Sequence, residues 1–432
     1  MIKCSTFGFA ALIFIVSLNF SGCKSRSSQD KEPGKSGSVQ NEAVPVQENE
    51  AAILGKVIFF IENSGSMAGY VNQANEFKNS LVGLAYLPEF DKADKGFYFI
   101  NGTSDPSKKS GIQINLIGND PEILKNKLNP KSFKVGDIRF SDLNKMFEIA
   151  LDSAKDNQIS ILVSDCIYDV GNDQDPLTAL NIEIQQTQLA FRNRLESEDL
   201  QTLIIKAISR FDGLYYYASK AGSRQLAGQE RPFYLVIFGK SGLLNKMLTE
   251  KSIGSKITGP FQTARFFVND ARNIPFQIAP SENVKGEFMQ DYENKFKLKN
   301  AKSLMGEFQF AFAADFTSLP FSDSYLTNIS NYNCHNPNFN VITAARITKK
   351  IAGVNGTHLI TVFTNKNPAG NLEVVLKNVT PGWVMETDID NEDYIDNSHT
   401  YGFQSLTDAI SKAYEYKNDG KNPATFKIMI TK

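Results

Sequence analysis

The chain has 432 residues, of which 41% are hydrophobic and 22% are charged, and its formal net charge at pH 7 is −1. This length exceeds what one ordinary hydrophobic core holds, so we expect two folded domains. A near-neutral charge gives no long-range attraction toward nucleic acid, and we therefore expect no DNA or RNA partner.

The first 22 residues have the three parts of a secretory signal peptide. Lys3 precedes an apolar run over residues 7–20 that is too short to span a bilayer, and the small residues Ser21 and Gly22 come directly before Cys23. This end resembles the lipobox of bacterial lipoproteins, with phenylalanine at position 20 in place of the usual leucine. The resemblance implies that cleavage leaves Cys23 as the lipid-bearing first residue of a protein of the bacterial cell envelope, anchored in the outer membrane. A plain signal peptide with a chance cysteine is the alternative.

Residues 23–51 are expected to carry the lipid on Cys23 and then to form a flexible tether. The stretch from Lys24 to Ala51 lacks aromatic residues and is rich in Ser, Gln, Glu, Lys, Gly and Pro. Such a composition buries too little apolar surface to fold. We expect it to hold a globular body away from the membrane in which the lipid sits.

Cys166 and Cys334 are the cysteines that follow the tether. An oxidising envelope allows them to pair, but spacing does not establish the geometry of a disulfide. We favour a buried free thiol at Cys166. No two of the three histidines have zinc-ligand spacing, so a zinc site has little support.

Residues 52–254 alternate apolar runs of strand length with segments of helical period, which indicates an α/β domain with a central, mostly parallel sheet. We expect Ser141 to be the N-cap of its helix and Asp212-Gly213 to be a hairpin turn. The predicted elements are, in chain order, a strand over 55–62, a helix over 75–85, strands over 96–102 and 112–118, a helix over 141–156, a strand over 159–166, a helix over 175–195, a β-hairpin over 201–219 and a strand over 231–240.

Residues 255–432 contain short strand patterns separated by Asn, Gly and Pro, which indicates a β-rich, sandwich-like domain. The acidic run over 388–393 resembles the start of an EF-hand calcium loop, but it has Asp393 where that loop requires glycine, so we favour a solvated acidic loop. The predicted elements are strands over 264–268, 308–316, 341–348, 358–365, 372–379 and 426–432 and a helix over 406–416.

Polar residues follow the ends of the predicted strands in the first domain. Glu62, Ser64 and Ser66 lie at the end of the first strand, Ser141 begins a helix, and Asp165 ends the strand over 159–166. Open α/β sheets bind ligands at the carboxyl edge of their strands. Carboxylate and hydroxyl oxygens there suit a hard cation such as Mg²⁺, which requires about six oxygen ligands.

The segment IENSGSM, residues 61–67, resembles the first metal-site motif, DxSxS, of von Willebrand factor type A (VWA) domains. The segment LVSDC, residues 162–166, resembles the strand-terminal acid of that family, which glycine commonly follows. The resemblance covers roughly residues 55–250. It implies a Rossmann-like fold that holds a divalent cation, Mg²⁺ or Mn²⁺, in a metal-ion-dependent adhesion site (MIDAS).

The family's ligand set transfers to this chain residue by residue. The resemblance implies that Ser64 and Ser66 are hydroxyl ligands and that Asp165 is the later acid. Glu62 stands where the family has aspartate, and Ser141 is the candidate for its threonine. Glu62 is one methylene longer than aspartate, and cysteine at position 166 replaces the expected glycine. The alternative is that Glu62, Ser64 and Ser66 cap the next helix and pair with the amides of the turn.

A hydrolase has less support, because SGSMAG does not match the GxSxG nucleophile elbow and no histidine lies between Ser66 and Cys334. We therefore predict no catalytic residues and a binding or scaffold protein rather than an enzyme. The resemblance implies a lipid-anchored envelope protein that binds a protein ligand, whose acidic side chain completes the shell of the cation. The alternative is a metal-free structural or assembly component of the envelope in which the site has degenerated.

Overall fold

The structure is a computed structural model that describes residues 53–105, 107, 111–139, 141–168, 175–269, 274–389, 391–394, 396 and 398–432. The predicted signal peptide, Cys23 and the tether lie outside these residues. No helix in the described part of the chain is both long enough and apolar enough to cross a membrane.

A seven-stranded mixed sheet, ordered β3-β2-β1-β4-β6-β5-β7, positions the candidate site. Its strands are β1 (Lys56–Glu62), β2 (Asp94–Gly102), β3 (Ile112–Gly118), β4 (Gln158–Ser164), β5 (Gln201–Tyr216), β6 (Ser223–Gly239) and β7 (Phe261–Phe267). Strand β1 pairs in parallel with β2 and with β4, whereas every other neighbouring pair is antiparallel. The prediction of a mostly parallel sheet is therefore wrong. Short connections join β2 to β3 and β5 to β6, and a short connection makes consecutive strands antiparallel.

The prediction of a hairpin turn at Asp212-Gly213 is also wrong. Strand β5 continues through this dipeptide with an irregular pairing between Phe211 and Gly213, and the chain turns between Tyr216 and Ser223 instead. A Cβ atom at Gly213 would lie 2.8 Å from the Cα of Gly69. This glycine therefore permits two backbone segments to touch at a bulge, a role that its sequence neighbours do not distinguish from a turn.

Helices cover both faces of the seven-stranded sheet. They are α1 (Glu76–Ala85), α2 (Pro121–Lys127), α3 (Pro130–Phe133), α4 (Leu143–Asp152), α5 (Pro176–Ser197), α6 (Ser241–Met247) and α7 (Glu250–Gly254). Side chains of α1, α2, α3, α6 and α7 share one core with Phe59 of β1, and side chains of α4 and α5 share the other core with Phe60. Strand β1 is thus buried on both faces, as in the interior of an α/β protein.

The C-terminal part contains the predicted β-rich structure as two sheets, ordered β12-β15-β18-β10-β9 and β13-β14-β11-β8. Phe312 of one sheet and Phe426 of the other pack with ring centres 4.9 Å apart in a shared core. The strands are β8 (Phe276–Ala279), β9 (Glu287–Gln290), β10 (Lys297–Lys302), β11 (Phe308–Ala314), β12 (Tyr332–Cys334), β13 (Asn340–Arg346), β14 (His358–Thr364), β15 (Gly370–Leu376) and β18 (Ala424–Ile430), and helix α8 spans Asp323–Thr327.

Between β15 and β18 the chain returns to the first sheet. This segment contains α9 (Trp383–Thr387), the short paired strands β16 (Asp388–Ile389) and β17 (Thr400–Tyr401), and α10 (Phe403–Asn418). The Trp383 indole donates to the carbonyl of Thr263 in β7 over 3.0 Å. Strand β7 and helix α10 both follow residue 254, and both pack with the first sheet. Residues on both sides of the predicted boundary at residue 254 therefore pack in or against the same sheet.

Candidate functional site

Helix α4 begins at Leu143, and its N-cap is Asp142, whose carboxylate accepts a hydrogen bond of 3.0 Å from the amide of Lys145. The prediction of Ser141 as the N-cap is therefore wrong, because aspartate at the next position serves that role. The hydroxyl of Ser141 instead donates to Oε1 of Glu62 over 2.8 Å. This bond brings two predicted site residues together.

The carboxylate of Glu62 lies in the interior, with 2% of the residue exposed. Its second oxygen, Oε2, accepts a hydrogen bond of 2.5 Å from Ser164. Sequence reasoning missed Ser164, although its position was informative. In the parallel pair of β1 and β4, Ile61 is the partner of Val163, so the next residues along each strand, Glu62 and Ser164, project to the same face.

The two serines of the turn after β1 bond to each other, with 3.1 Å between the Oγ atoms of Ser64 and Ser66. Neither caps a helix: the short 3-10 helix over Ser66–Tyr70 has no side-chain cap, and Asn75 caps α1. The alternative role in helix capping is therefore wrong for these serines. The amide of Gly65 donates to the carbonyl of Ile138 over 2.8 Å, which ties the turn to the segment that leads to Ser141.

Asp165 follows β4 and is 4% exposed. The next residue, Cys166, has a φ of 56°, in the left-handed region that glycine adopts most readily. The position where the VWA resemblance expects glycine thus has a glycine-like backbone, and a cysteine occupies it. The thiol of Cys166 is buried and unpaired, as predicted, and Cys334 is also a free thiol.

Burial raises the pKa of Glu62 to about 7, the negative charge of Asp165 adds to this effect, and hydrogen bonds from Ser164, Ser64 and Ser141 oppose it. Burial also raises the pKa of Asp165, against the hydroxyl of Ser66, the amide of Ile167 and the charge of Arg231. A divalent cation beside two such carboxylates favours their charged forms.

The donor set suits a hard cation, because its atoms are carboxylate and hydroxyl oxygens. The described residues contain no group of three or more His, Cys, Asp and Glu side chains placed to hold a metal ion. A metal ion at this edge would therefore depend on the hydroxyls of Ser64, Ser66 and Ser141 as well as on the two acids. Ser141 donates a hydrogen bond to Glu62, and the hydroxyls of Ser64 and Ser66 bond to each other. A hydroxyl that donates a hydrogen bond still has oxygen lone pairs with which to bind a cation.

A cavity of about 340 Å³ opens above the serines. Ser64, Ser66 and Ser141 line it, whereas Glu62 and Asp165 are absent from its lining. The three serines therefore border the cavity, with Ser64 itself only 4% exposed, and the carboxylates lie behind them.

The far wall of the cavity is the turn between β5 and β6, which contributes residues 216–218 and 220–222. A Cβ atom at Gly65 would lie 3.1 Å from the ring of Tyr216, so this ring packs closely over the turn of the two serines.

No protein-family model matches this chain, and no curated protein sequence matches it significantly.

Proposed function

We propose that this chain is a lipid-anchored protein of the bacterial cell envelope whose VWA-like module binds a protein ligand through a divalent cation at a modified MIDAS-type site. The observation that carries the proposal is the hydrogen bond from Ser141 to Glu62, supported by the contact between Ser64 and Ser66 and by the buried Asp165. These residues come from separate segments of the chain and meet at the carboxyl edge of β1 and β4, an edge at which α/β sheets bind ligands.

Each residue has a distinct role in this proposal. Ser64, Ser66 and Ser141 offer hydroxyl oxygens toward the cavity, and Asp165 supplies negative charge behind them. Glu62 accepts from Ser141 and from Ser164 and so orients the hydroxyl of Ser141, as groups behind metal ligands commonly do. A bound Mg²⁺ or Mn²⁺ would supply a positive centre, to which an acidic side chain of the partner would add an oxygen ligand.

One observation favours a second candidate, a metal-free structural or assembly component of the envelope. Both oxygens of Glu62 accept serine hydroxyls, and Ser64 and Ser66 bond to each other, so these side chains are hydrogen-bonded to one another. A site that is satisfied in this way does not require a metal ion for stability.

Thermal unfolding of the mature chain in detergent, with and without millimolar Mg²⁺ or Mn²⁺, tests the proposal. A cation that binds the native state stabilises it by RT ln(1 + [L]/Kd), about 2.7 kcal/mol at a hundredfold excess over Kd. We expect the melting temperature to rise in the wild type and in the exposed control Ser281→Ala, and not in Ser64→Ala. The absence of a cation-dependent rise in the wild type would support the metal-free component instead.

A further inference from the structure

The wall of the cavity is a hairpin tip, defined here as residues 215–222, the end of β5 and the turn that follows it. It contacts the site through Tyr216, whose ring packs over Gly65 between the two serines. Tyr217 and Lys220 of the tip also line the cavity. The position of this tip therefore determines both the width of the cavity and the packing of the turn that carries Ser64 and Ser66.

The tip is held by Glu392, a residue of the acidic run over 388–393. We predicted a solvated loop, and Asp393 is indeed exposed, but Glu392 is only 1% exposed. Oε1 of Glu392 accepts from the hydroxyl of Tyr215 and, over 3.0 Å, from the amide of Ala218. Oε2 accepts from the amide and the hydroxyl of Ser219 over 2.7 and 2.6 Å.

These four hydrogen bonds match the acceptor capacity of a carboxylate at position 392. The amides of Ala218 and Ser219 are donors in a turn, and an ionised carboxylate accepts from both while it also accepts the two hydroxyls. A glutamine would place a donor group where one of the oxygens stands. A hydroxyl is able to rotate and accept from that group, but a backbone amide is not, so one of the two amides would lose its partner.

The segment that carries Glu392 is itself fastened to the first sheet. The guanidinium of Arg231, in β6, donates to the carbonyls of Asp396 and His399 over 2.9 and 3.1 Å. Farther along, the hydroxyls of Tyr234 and Thr400 are 2.8 Å apart. Glu392 thus links the segment between β15 and β18 to the hairpin tip at the rim of the candidate site.

We propose that Glu392 is a positioning residue that latches the hairpin tip over the cavity, so that the segment around it sets access to the site and its affinity for a cation. The affinity part of this proposal rests on the proposed function. With the latch closed, the cavity of about 340 Å³ is at the small end of ligand pockets. It admits a protruding acidic side chain or chain end of a partner protein, and release of the tip would widen it.

The test compares Glu392→Gln with Asp393→Asn in the mature chain. Asp393 is the adjacent exposed acid and forms an ion pair with Lys220 of the same tip. Its variant removes this exposed ion pair, a kind of contact that contributes little to stability, and leaves every hydrogen bond to Glu392 in place. Ser219→Ala is a milder variant that removes one hydroxyl and leaves both amide bonds to Glu392 in place. It keeps the proposal testable if Glu392→Gln does not fold.

The first readout is hydrogen exchange at the amides of Ala218 and Ser219, which reports local opening. Loss of a hydrogen bond to a charged group predicts exchange about tenfold faster or more in Glu392→Gln, and a smaller increase in Ser219→Ala. Asp393→Asn is expected to exchange like the wild type. Equal exchange in Glu392→Gln and the wild type would overturn the latch.

The second readout is the Kd for Mn²⁺ alone, measured by electron paramagnetic resonance of the free ion. We expect the Kd to rise by about fivefold or more in Glu392→Gln and to change by less than about twofold in Asp393→Asn. Faster exchange with an unchanged Kd would overturn the link to the site and leave the proposed function standing. If the wild type binds no Mn²⁺, the proposed function fails, and the exchange experiment still decides whether Glu392 latches the tip.

Discussion

Ser141 and Glu62 are 79 positions apart in the sequence, and the hydroxyl of Ser141 donates to Oε1 of Glu62 over 2.8 Å. The bond connects the end of β1 with the residue before the N-cap of α4. It exists because Asp142 caps the helix and leaves Ser141 available. The carboxyl edge of the sheet therefore gains a hydroxyl that is oriented by a buried acid.

The first prediction concerns this bond. Ser141→Ala removes a donor from a buried carboxylate, so we expect the free energy of unfolding to fall by about 1.5 to 3 kcal/mol. Ser141→Thr keeps the hydroxyl and supplies the residue that the VWA resemblance expects, and we expect it to retain most of the stability. Chemical denaturation of the three proteins measures the difference. Equal losses in both variants would mean that the hydroxyl does not stabilise Glu62.

The second prediction concerns pH in the absence of cations. Burial and the charge of Asp165 raise the pKa of Glu62 from 4.5 to about 7, so the folded protein binds a proton in this range that the unfolded chain has released. The contribution of Glu62 to the free energy of unfolding is therefore fully present below about pH 4.5 and is lost as the pH rises toward about 7. With EDTA present, we expect the stability of the wild type relative to Glu62→Gln to fall across this interval.

Thermal unfolding of both proteins at several pH values measures this difference, since the titrating groups other than Asp165, whose charge interacts with that of Glu62, contribute equally to the two. Added Mg²⁺ is expected to restore part of the loss at pH 7.5 and none at pH 5, because the cation favours the charged carboxylate. A difference between wild type and variant that is independent of pH would contradict the assignment of this pKa shift to Glu62.

The third prediction concerns the backbone at Cys166. Because its φ is 56°, a side chain there costs about 1 to 2 kcal/mol that glycine does not pay. We expect Cys166→Gly to be more stable than Cys166→Ala by about 0.5 to 1 kcal/mol, although alanine has the larger apolar side chain. Denaturant unfolding of the two variants provides the comparison. If Cys166→Ala were instead the more stable variant, burial of its methyl group would outweigh the conformational cost of a positive φ at this position.

The fourth prediction concerns the close contact at Gly213. A Cβ atom there would meet the backbone of Gly69 at 2.8 Å, whereas a Cβ atom at Gly242, in α6, has no neighbour within 4 Å. We expect Gly213→Ala to lower the free energy of unfolding by about 1 to 3 kcal/mol. Gly242→Ala is expected to be neutral or mildly stabilising, because alanine favours a helix. Equal stability of the two variants would contradict the packing described for β5.

The fold class could be predicted from the sequence, but the strand partners could not. Apolar runs such as residues 55–62 reveal a buried strand because burial on both faces requires them. The direction of a neighbouring strand depends on which segment lies beside it, and periodicity carries no such information. For that reason the alternation of elements suggested a mostly parallel sheet, although β6 runs antiparallel to β4.

The candidate site, too, could be predicted from the sequence only in part. A local motif predicts Glu62, Ser64 and Ser66, whereas it does not include Ser164, whose role depends on lying beside Glu62 in the paired strands. Glu392 belongs to an acidic run that does not match a calcium loop, because Asp393 stands where that loop requires glycine, and the sequence therefore favours a solvated loop. Its burial results from donors on Tyr215, Ala218 and Ser219, which are more than 170 positions away in the chain.

Calorimetric titration of Mg²⁺ and Mn²⁺ into the mature chain at pH 7.5 tests the central claim most directly. We predict saturable binding of one cation by the wild type and by Ser281→Ala, and its loss in a variant that combines Ser64→Ala and Ser66→Ala. Hydroxyls that line the cavity are required as ligands in this account, so their removal must abolish binding while the fold is retained. Absence of binding by the wild type, or equal binding by the double variant, would contradict a cation site at this edge of the sheet.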